Sequence, residues 1–379
     1  MLVEKTHNIE KFNIAEASVA TKINKGSYSL FNCMHENNSI KSLGAELTKK
    51  YKNFIVVGLG GSINAGLTFA QLKSHNITFI DNIEPKTTYQ KLAQIQKPSE
   101  TLVICISKSG KSEEVLLLYK ILCAKFREHN SAADNFLVIT QQNQNKLEQM
   151  ALKNGHRVIP HDPNIGGRFS YLSVVGLLIA TLAGLDTDQI TQGAQTALTN
   201  YLQNSSQRNN YCYNLAKLML EDKLHANIIL TYHDDLLPFQ VWFQQLWAES
   251  LGKNGLGSIP VAFSGTRDQH SQLQLYLASP KGKAFTMIRC QNFNTKSDAL
   301  TEAYHSHADN VTINLKQTGK PVREIILPEL NEYNLSYLMT NMVLDTLITA
   351  EYMQIDPFGQ NKVEAIKNAR YNKISETIT

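Results

Sequence analysis

Short unbroken apolar runs alternate with longer stretches of helical period through the first half of the chain. Asn53–Val57 (NFIVV), Ile77–Ile80 (ITFI), residues 102–106 (LVICI) and Phe136–Thr140 (FLVIT) read as strands, followed by Arg157–Pro160. Between them, residues 113–126 and 145–153 carry helical patterns. Continuously apolar strands joined by helical crossovers predict a parallel sheet covered on both faces. Ligands of such sheets gather beyond the carboxyl ends of the strands. Two Gly/Ser-rich loops, residues 58–62 (GLGGS) and 107–112 (SKSGKS), fall at such ends. The most apolar run, residues 171–185 (YLSVVGLLIATLAGL), has 15 residues. That is short of the roughly 20 needed to span a bilayer, so a buried helix is predicted.

After the polar stretch 204–210 (NSSQRNN) the pattern predicts a second α/β block. Residues 227–232 (NIILTY) and 285–289 read as strands, and residues 239–251 (FQVWFQQLWAESL) as a helix. A long helix over 330–353 ends before Asp356-Pro357, and a last short helix is expected over 363–371. The expected architecture is α/β: two doubly wound parallel-sheet subdomains, residues 1–200 and 201–379, the second ending in helices. A chain of 379 residues is consistent with two such units.

Composition narrows the function classes. The chain is 42% apolar and 18% charged, an ordinary globular balance. Net charge is only +4 and no polybasic tract exists, so a nucleic-acid footprint is not indicated. Cys33, Cys105, Cys123, Cys212 and Cys290 are odd in number, widely spaced and without CxxC. They read as reduced thiols, with neither a disulfide framework nor a zinc site. The amino terminus carries acids and lacks an apolar signal core. A cytoplasmic protein without membrane association is expected.

Several residues have types suited to chemistry. Gly58, Gly60, Gly61 and Ser62 form a turn between strand and helix, where backbone N–H groups can meet an anion. The glycine spacing departs from GxGxxG, which disfavours a dinucleotide. Ser107–Ser112 offers hydroxyls, two ammoniums and backbone donors, about what the oxygens of a phosphate require. It is not GxxxxGK[ST], so a nucleotide P-loop is disfavoured. Arg168 follows two glycines ahead of the apolar helix, Glu249 ends an aromatic-rich helix, His270 sits in a turn-like loop and Lys367 lies near the carboxyl end. Taken singly, each has an ordinary reading: a polar turn, a surface arginine, a solvated glutamate, a structural histidine, a solvent-facing lysine.

Together and in order, six blocks resemble the glucose-6-phosphate isomerase (phosphoglucose isomerase) family: VGLGGS, ISKSGKSEEVL, GGRFSYLSVVGL, QQLWAESLGK, GTRDQHSQLQL and PFGQNKVEAIK. They span residues 57–367, and the SKSGKSEE loop is similar to the phosphosugar loop of the wider sugar isomerase domain family. The resemblance implies that Ser107, Lys108, Ser109 and Ser112 bind phosphate and that Gly61 and Ser62 contact the sugar. It implies that Gln245 and Gln360 contact substrate, that Glu249 is the general base and that Arg168 steadies an enediolate. His270 and Lys367 match groups associated with ring opening. It further implies interconversion of glucose 6-phosphate and fructose 6-phosphate in glycolysis and gluconeogenesis, no cofactor or metal, and a homodimer with shared active sites. Two alternatives stay open: a non-catalytic phosphosugar-binding module, and an isomerase that also accepts mannose 6-phosphate. The chain departs from the family pattern at Lys111 and Ser112, where threonines are common. It departs again at Gly359, Lys362 and Ile366, which replace an acidic residue and two glycines.

Overall fold

The structure, a computed structural model, describes residues 2–12, 18–73, 75–129, 133–293, 298–360 and 362–363. Ten strands among them form two five-stranded sheets. The strands are β1 (Val3–His7), β2 (Asn53–Val57), β3 (Ile77–Ile80), β4 (Thr101–Ile106), β5 (Phe136–Thr140), β6 (Arg157–Pro160), β7 (Ala226–Tyr232), β8 (Ile259–Ser264), β9 (Lys283–Asn292) and β10 (Val322–Glu329).

The first sheet is wholly parallel, in the order β3-β2-β4-β5-β6. Its central strands are apolar on both faces because both are covered. Phe54, Val56, Ile104, Ile106 and Ile139 face a core shared with the buried helix Val174–Leu182. Ile55, Val57, Val103, Cys105 and Val138 face a second core closed by the helix Glu113–Glu128. The shared core continues into the helices Leu237–Leu251 and Glu332–Tyr352, so the two subdomains are packed on one apolar interior.

The second sheet has the order β1-β10-β9-β7-β8. Four strands are parallel and the edge strand β1 is antiparallel to β10. Two doubly wound α/β subdomains with a C-terminal helical region are therefore present, the second sheet being mixed. The amino-terminal strand crosses the expected division at residue 200, because it pairs with β10 of the other sheet. The polar stretch 204–210 opens the helix Ser205–Leu220. Its polar side chains hold the amino-terminal segment: Asn210 and Asn214 each donate to the Glu10 carbonyl (2.8 and 2.9 Å), and Asn210 accepts from the Phe12 amide (3.0 Å).

Three strands lay outside the sequence reading, each for a physical reason. β1 is short, with exposed Val3 and no apolar face. β8 carries Pro260, which an edge strand tolerates. β10 carries Arg323 and Glu324, which break the apolar run and are buried with partners of opposite charge. The helix expected over 363–371 lies outside the described residues beyond Val363. The five cysteines are free and buried. Among the described residues no helix is long and apolar enough to cross a membrane.

Candidate active site

The first sheet places the two glycine-rich loops side by side. From β2 the chain winds outward to β3, then crosses back to the other flank of β2 for β4, β5 and β6. The switch of direction falls between β2 and β4, where loops at the carboxyl ends splay apart and leave a crevice. The GLGGS loop leaves β2 and the SKSGKS loop leaves β4. In the second loop the amide of Gly110 donates to the carbonyl of Ser107 (3.0 Å), closing a turn. Gly110 has φ of 61°, and a β-carbon there would lie 1.6 Å from Asn145 Oδ1, so only glycine fits. Ser107 and Ser112 hydroxyls lie 3.1 Å apart, and Ser109 Oγ accepts from the Lys111 amide (3.2 Å). Ser107 is buried, Lys108 half-buried and Ser109 exposed. Burial pushes the Lys108 ammonium below its ordinary pKa; Asp162 opposes this and Arg168 adds to it. The loop and Arg168 thus share one electrostatic neighbourhood.

Arg168 lies in the short 3₁₀ segment Gly167–Leu172, which is built against the first glycine loop. A β-carbon on Gly61 would come within 2.3 Å of the Gly167 carbonyl carbon and 2.4 Å of the Arg168 nitrogen. Glycine at 61 is what lets the two backbones touch. Ser170 Oγ donates across the contact to the Gly61 carbonyl (3.2 Å), and Trp242 Nε1 donates to the Arg168 carbonyl (3.1 Å). The helix Leu237–Leu251 of the second subdomain is thereby seated on the loops of the first.

That helix supplies the carboxylate. Asn64 donates to Gln245 Oε1 (3.0 Å), Gln245 Nε2 donates to Glu249 Oε1 (3.2 Å), and Arg168 Nη1 donates to Glu249 Oε2 (3.2 Å). The spacing of four residues sets Gln245 one helical turn from Glu249 on the same face. Arg168 is only 5% exposed, whereas the Glu249 side chain keeps 26% of its surface open. The arginine is fixed and the carboxylate is reachable. Arg168 Nε donates to Ser250 Oγ (2.8 Å), and Nη2 donates to the carbonyls of Pro357 (2.5 Å) and Gly359 (3.2 Å). A guanidinium has five N–H donors. Among the described residues four acceptors are met, and the second N–H of Nη1 remains. Burial pushes the Arg168 pKa down and Glu249 pulls it back up; a guanidinium stays charged at physiological pH.

Of the residues singled out from sequence, the fold brings Gly61, Arg168, Gln245 and Glu249 into one contact chain, with Ser62, Ser107, Lys108, Ser109 and Ser112 on the loops flanking the crevice. Gln360 follows directly on the turn that Arg168 holds, and is half-buried. His270 ends the 3₁₀ segment Arg267–His270 after β8 and is exposed. No hydrogen bond or ion pair among the described residues joins it to Glu249 or Arg168. Lys367 lies outside the described residues. Sequence reasoning passed over Asn64, which orients Gln245, and Ser250 and Lys253, which flank Glu249. The signal was present: all three stand inside or beside the quoted blocks, but their work is done on other side chains and carbonyls.

The phosphoglucose isomerase family profile matches residues 15–276. The chain belongs to the phosphoglucose isomerase family. A glucose-6-phosphate isomerase of Methanocaldococcus jannaschii is 29% identical to it over 97% of this chain and 96% of that protein. A probable glucose-6-phosphate isomerase of Natronomonas pharaonis is 31% identical over 83% and 77%. Two solved structures share the fold. A hypothetical protein from Thermus thermophilus superposes with a TM-score of 0.80 at 24% identity, covering 91% of this chain and 89% of that one. A glucose-6-phosphate isomerase from Chlamydia trachomatis gives 0.76 at 17%, covering 97% and 76%. This family member is thus a sugar-isomerase-domain protein, a phosphosugar isomerase related to glucose-6-phosphate isomerases.

Proposed function

We propose that this phosphosugar isomerase interconverts glucose 6-phosphate and fructose 6-phosphate through a cis-enediolate. The observation that carries the reading is the Glu249 carboxylate, oriented by Gln245 and by Arg168, whose charge is felt by Lys108 of the SKSGKS loop. The 6-phosphate is held by Ser107, Lys108, Ser109 and Ser112. Gly61, Ser62, Gln245 and Gln360 contact the sugar. Once the ring is open, the carbonyl acidifies the proton on C2. Glu249 takes that proton, leaving the enediolate, and returns it to the adjacent C1. One carboxylate reaches both carbons because they are neighbours. The spare N–H of Arg168 Nη1 meets the enediolate oxygen, a fixed charge of the kind worth about 10²–10³ in rate.

Ring opening falls to His270 and Lys367. His270 is exposed and stands apart from Glu249 and Arg168 among the described residues, which suits a site completed by a second copy in a homodimer. A coupled assay for fructose 6-phosphate conversion by the purified protein tests the reaction. Repeating it in D₂O tests the intermediate: deuterium is expected at C2 of recovered aldose or C1 of the ketose. No conversion of fructose 6-phosphate by folded protein would sink the reading.

A further inference from the structure

The carbonyls of Asp356, Pro357, Phe358 and Gly359 are gripped alternately by two cations. Lys253 Nζ donates to the carbonyls of Asp356 and Phe358, and Arg168 Nη2 donates to those of Pro357 and Gly359. Each cation thus takes alternate carbonyls along the turn. Phe358 packs on the ring of Phe169 (5.2 Å) and lies near Tyr28 (6.2 Å). Behind the turn is an open cleft of about 750 Å³, lined by Tyr28, Asn164, Glu351 and the turn's own residues. Gln360 comes next in the chain, and Lys253 stands four residues after Glu249.

We propose that Lys253 and Arg168 form a two-cation latch that holds the 356–359 turn over the crevice, making Lys253 a positioning residue for substrate binding. This rests on the isomerase reading for its kinetic consequence and on the carbonyl geometry alone for the latch itself. Arg168 cannot carry the turn unaided without cost, because both of its Nη2 donors are already on the turn, two others are committed to Ser250 and Glu249, and the last is the one the proposed reaction needs for substrate. Without Lys253, two carbonyls lose a charge-assisted donor, the turn is free to move toward the cleft, and Gln360 moves with it.

The test compares Lys253→Met and Lys253→Arg with wild type. Lys253→Met is expected to lower kcat/KM for fructose 6-phosphate by about tenfold, mostly through KM, the scale of one charge-assisted hydrogen bond. Its Tm should stay within about 3 °C of wild type. Lys253→Arg, which keeps donors for two carbonyls, should recover most of the loss. Hydrogen exchange in a peptide covering residues 354–360 should quicken in Lys253→Met and not in Lys253→Arg. Unchanged exchange at the turn overturns the latch. Faster exchange with kcat/KM within twofold of wild type overturns the positioning role, as does a kinetic loss accompanied by a larger fall in Tm. If wild type proves inactive on hexose phosphates the isomerase reading fails, and the exchange comparison still decides the latch.

Discussion

Glu249 is useful because two neighbours, Gln245 and Arg168, fix it while solvent still reaches it. Glu249→Gln keeps the side chain's length and its capacity to accept from Arg168, and removes the charge and the basicity. A fall in kcat of about 10²–10⁴ is expected, with KM changed little. Steady-state kinetics check this, and a variant retaining half of wild-type kcat would remove Glu249 from the role. Gly61 is the other residue on which the site depends, for space rather than chemistry. Gly61→Ala pushes a methyl group to 2.3 Å from the Gly167 carbonyl carbon. Backbone on both sides cannot yield as a flexible side chain can, so the loops must part and Arg168 must shift. Activity is expected to fall at least about tenfold, since misplacement of about 1 Å can cost 10²-fold. Near-normal kinetics in Gly61→Ala would show that the loop contact is dispensable.

Two elements carry consequences that their sequences hide. Arg208 of the helix Ser205–Leu220 and Arg323 of β10 both pair with Asp345 of the helix Glu332–Tyr352 and with Glu4 of β1. Arg323 and Asp345 are almost fully buried. Burial works against the charge of both arginines, but their acidic partners outweigh it and raise both pKa values. Asp345→Asn leaves two buried guanidiniums with one carboxylate, and breaking such a group costs about 3–5 kcal/mol. Urea unfolding should report that loss; a change under about 1 kcal/mol would show the cluster to be energetically idle. The strand–helix layer of the first subdomain holds a pH-sensitive group. His156 is stacked on Phe136 (4.5 Å) and hydrogen-bonded to the Tyr119 hydroxyl (2.7 Å). Burial lowers its pKa to about 4, with Arg127 adding to the effect. In the unfolded chain an imidazole takes up a proton below about pH 6.5. Between these values the unfolded state binds more protons, so this group's contribution is complete above about pH 6.5 and is lost as pH falls toward about 4. Thermal unfolding at about pH 7 and about pH 5 should show the drop, and His156→Phe should flatten it.

At the scale of the molecule the proposed homodimer makes a prediction of its own. If His270 serves the neighbouring subunit, inactive Glu249→Gln and inactive His270→Ala chains should complement when unfolded and refolded together. Random pairing makes roughly half the dimers mixed, and each mixed dimer has one intact site of two, so about a quarter of wild-type activity should return. No recovery, with mixed dimers confirmed by mass, would place both residues at one chain's site.

The strands at Asn53–Val57 and Phe136–Thr140 coincide with the sequence reading because a strand buried on both faces must be apolar throughout, a local property of composition. The glycine loops were legible for a similar reason: close backbone approach leaves glycine little alternative. What sequence left hidden was placed by partners far along the chain. Arg323 and Glu324 make β10 look unlike a core strand until Asp345 and Lys316 are set beside them. Residues 204–210 look like a linker until the side-chain amide of Asn210, with that of Asn214 beyond, closes on Glu10 and Phe12. Ser250 and Lys253 look like ordinary surface residues until Arg168 and the 356–359 turn arrive from 82 and 103 positions away. An apolar side chain is satisfied by any dry neighbour, so its burial can be read from the chain alone. A buried charge or an orienting hydrogen bond needs one particular partner at one distance, and only the folded arrangement supplies it.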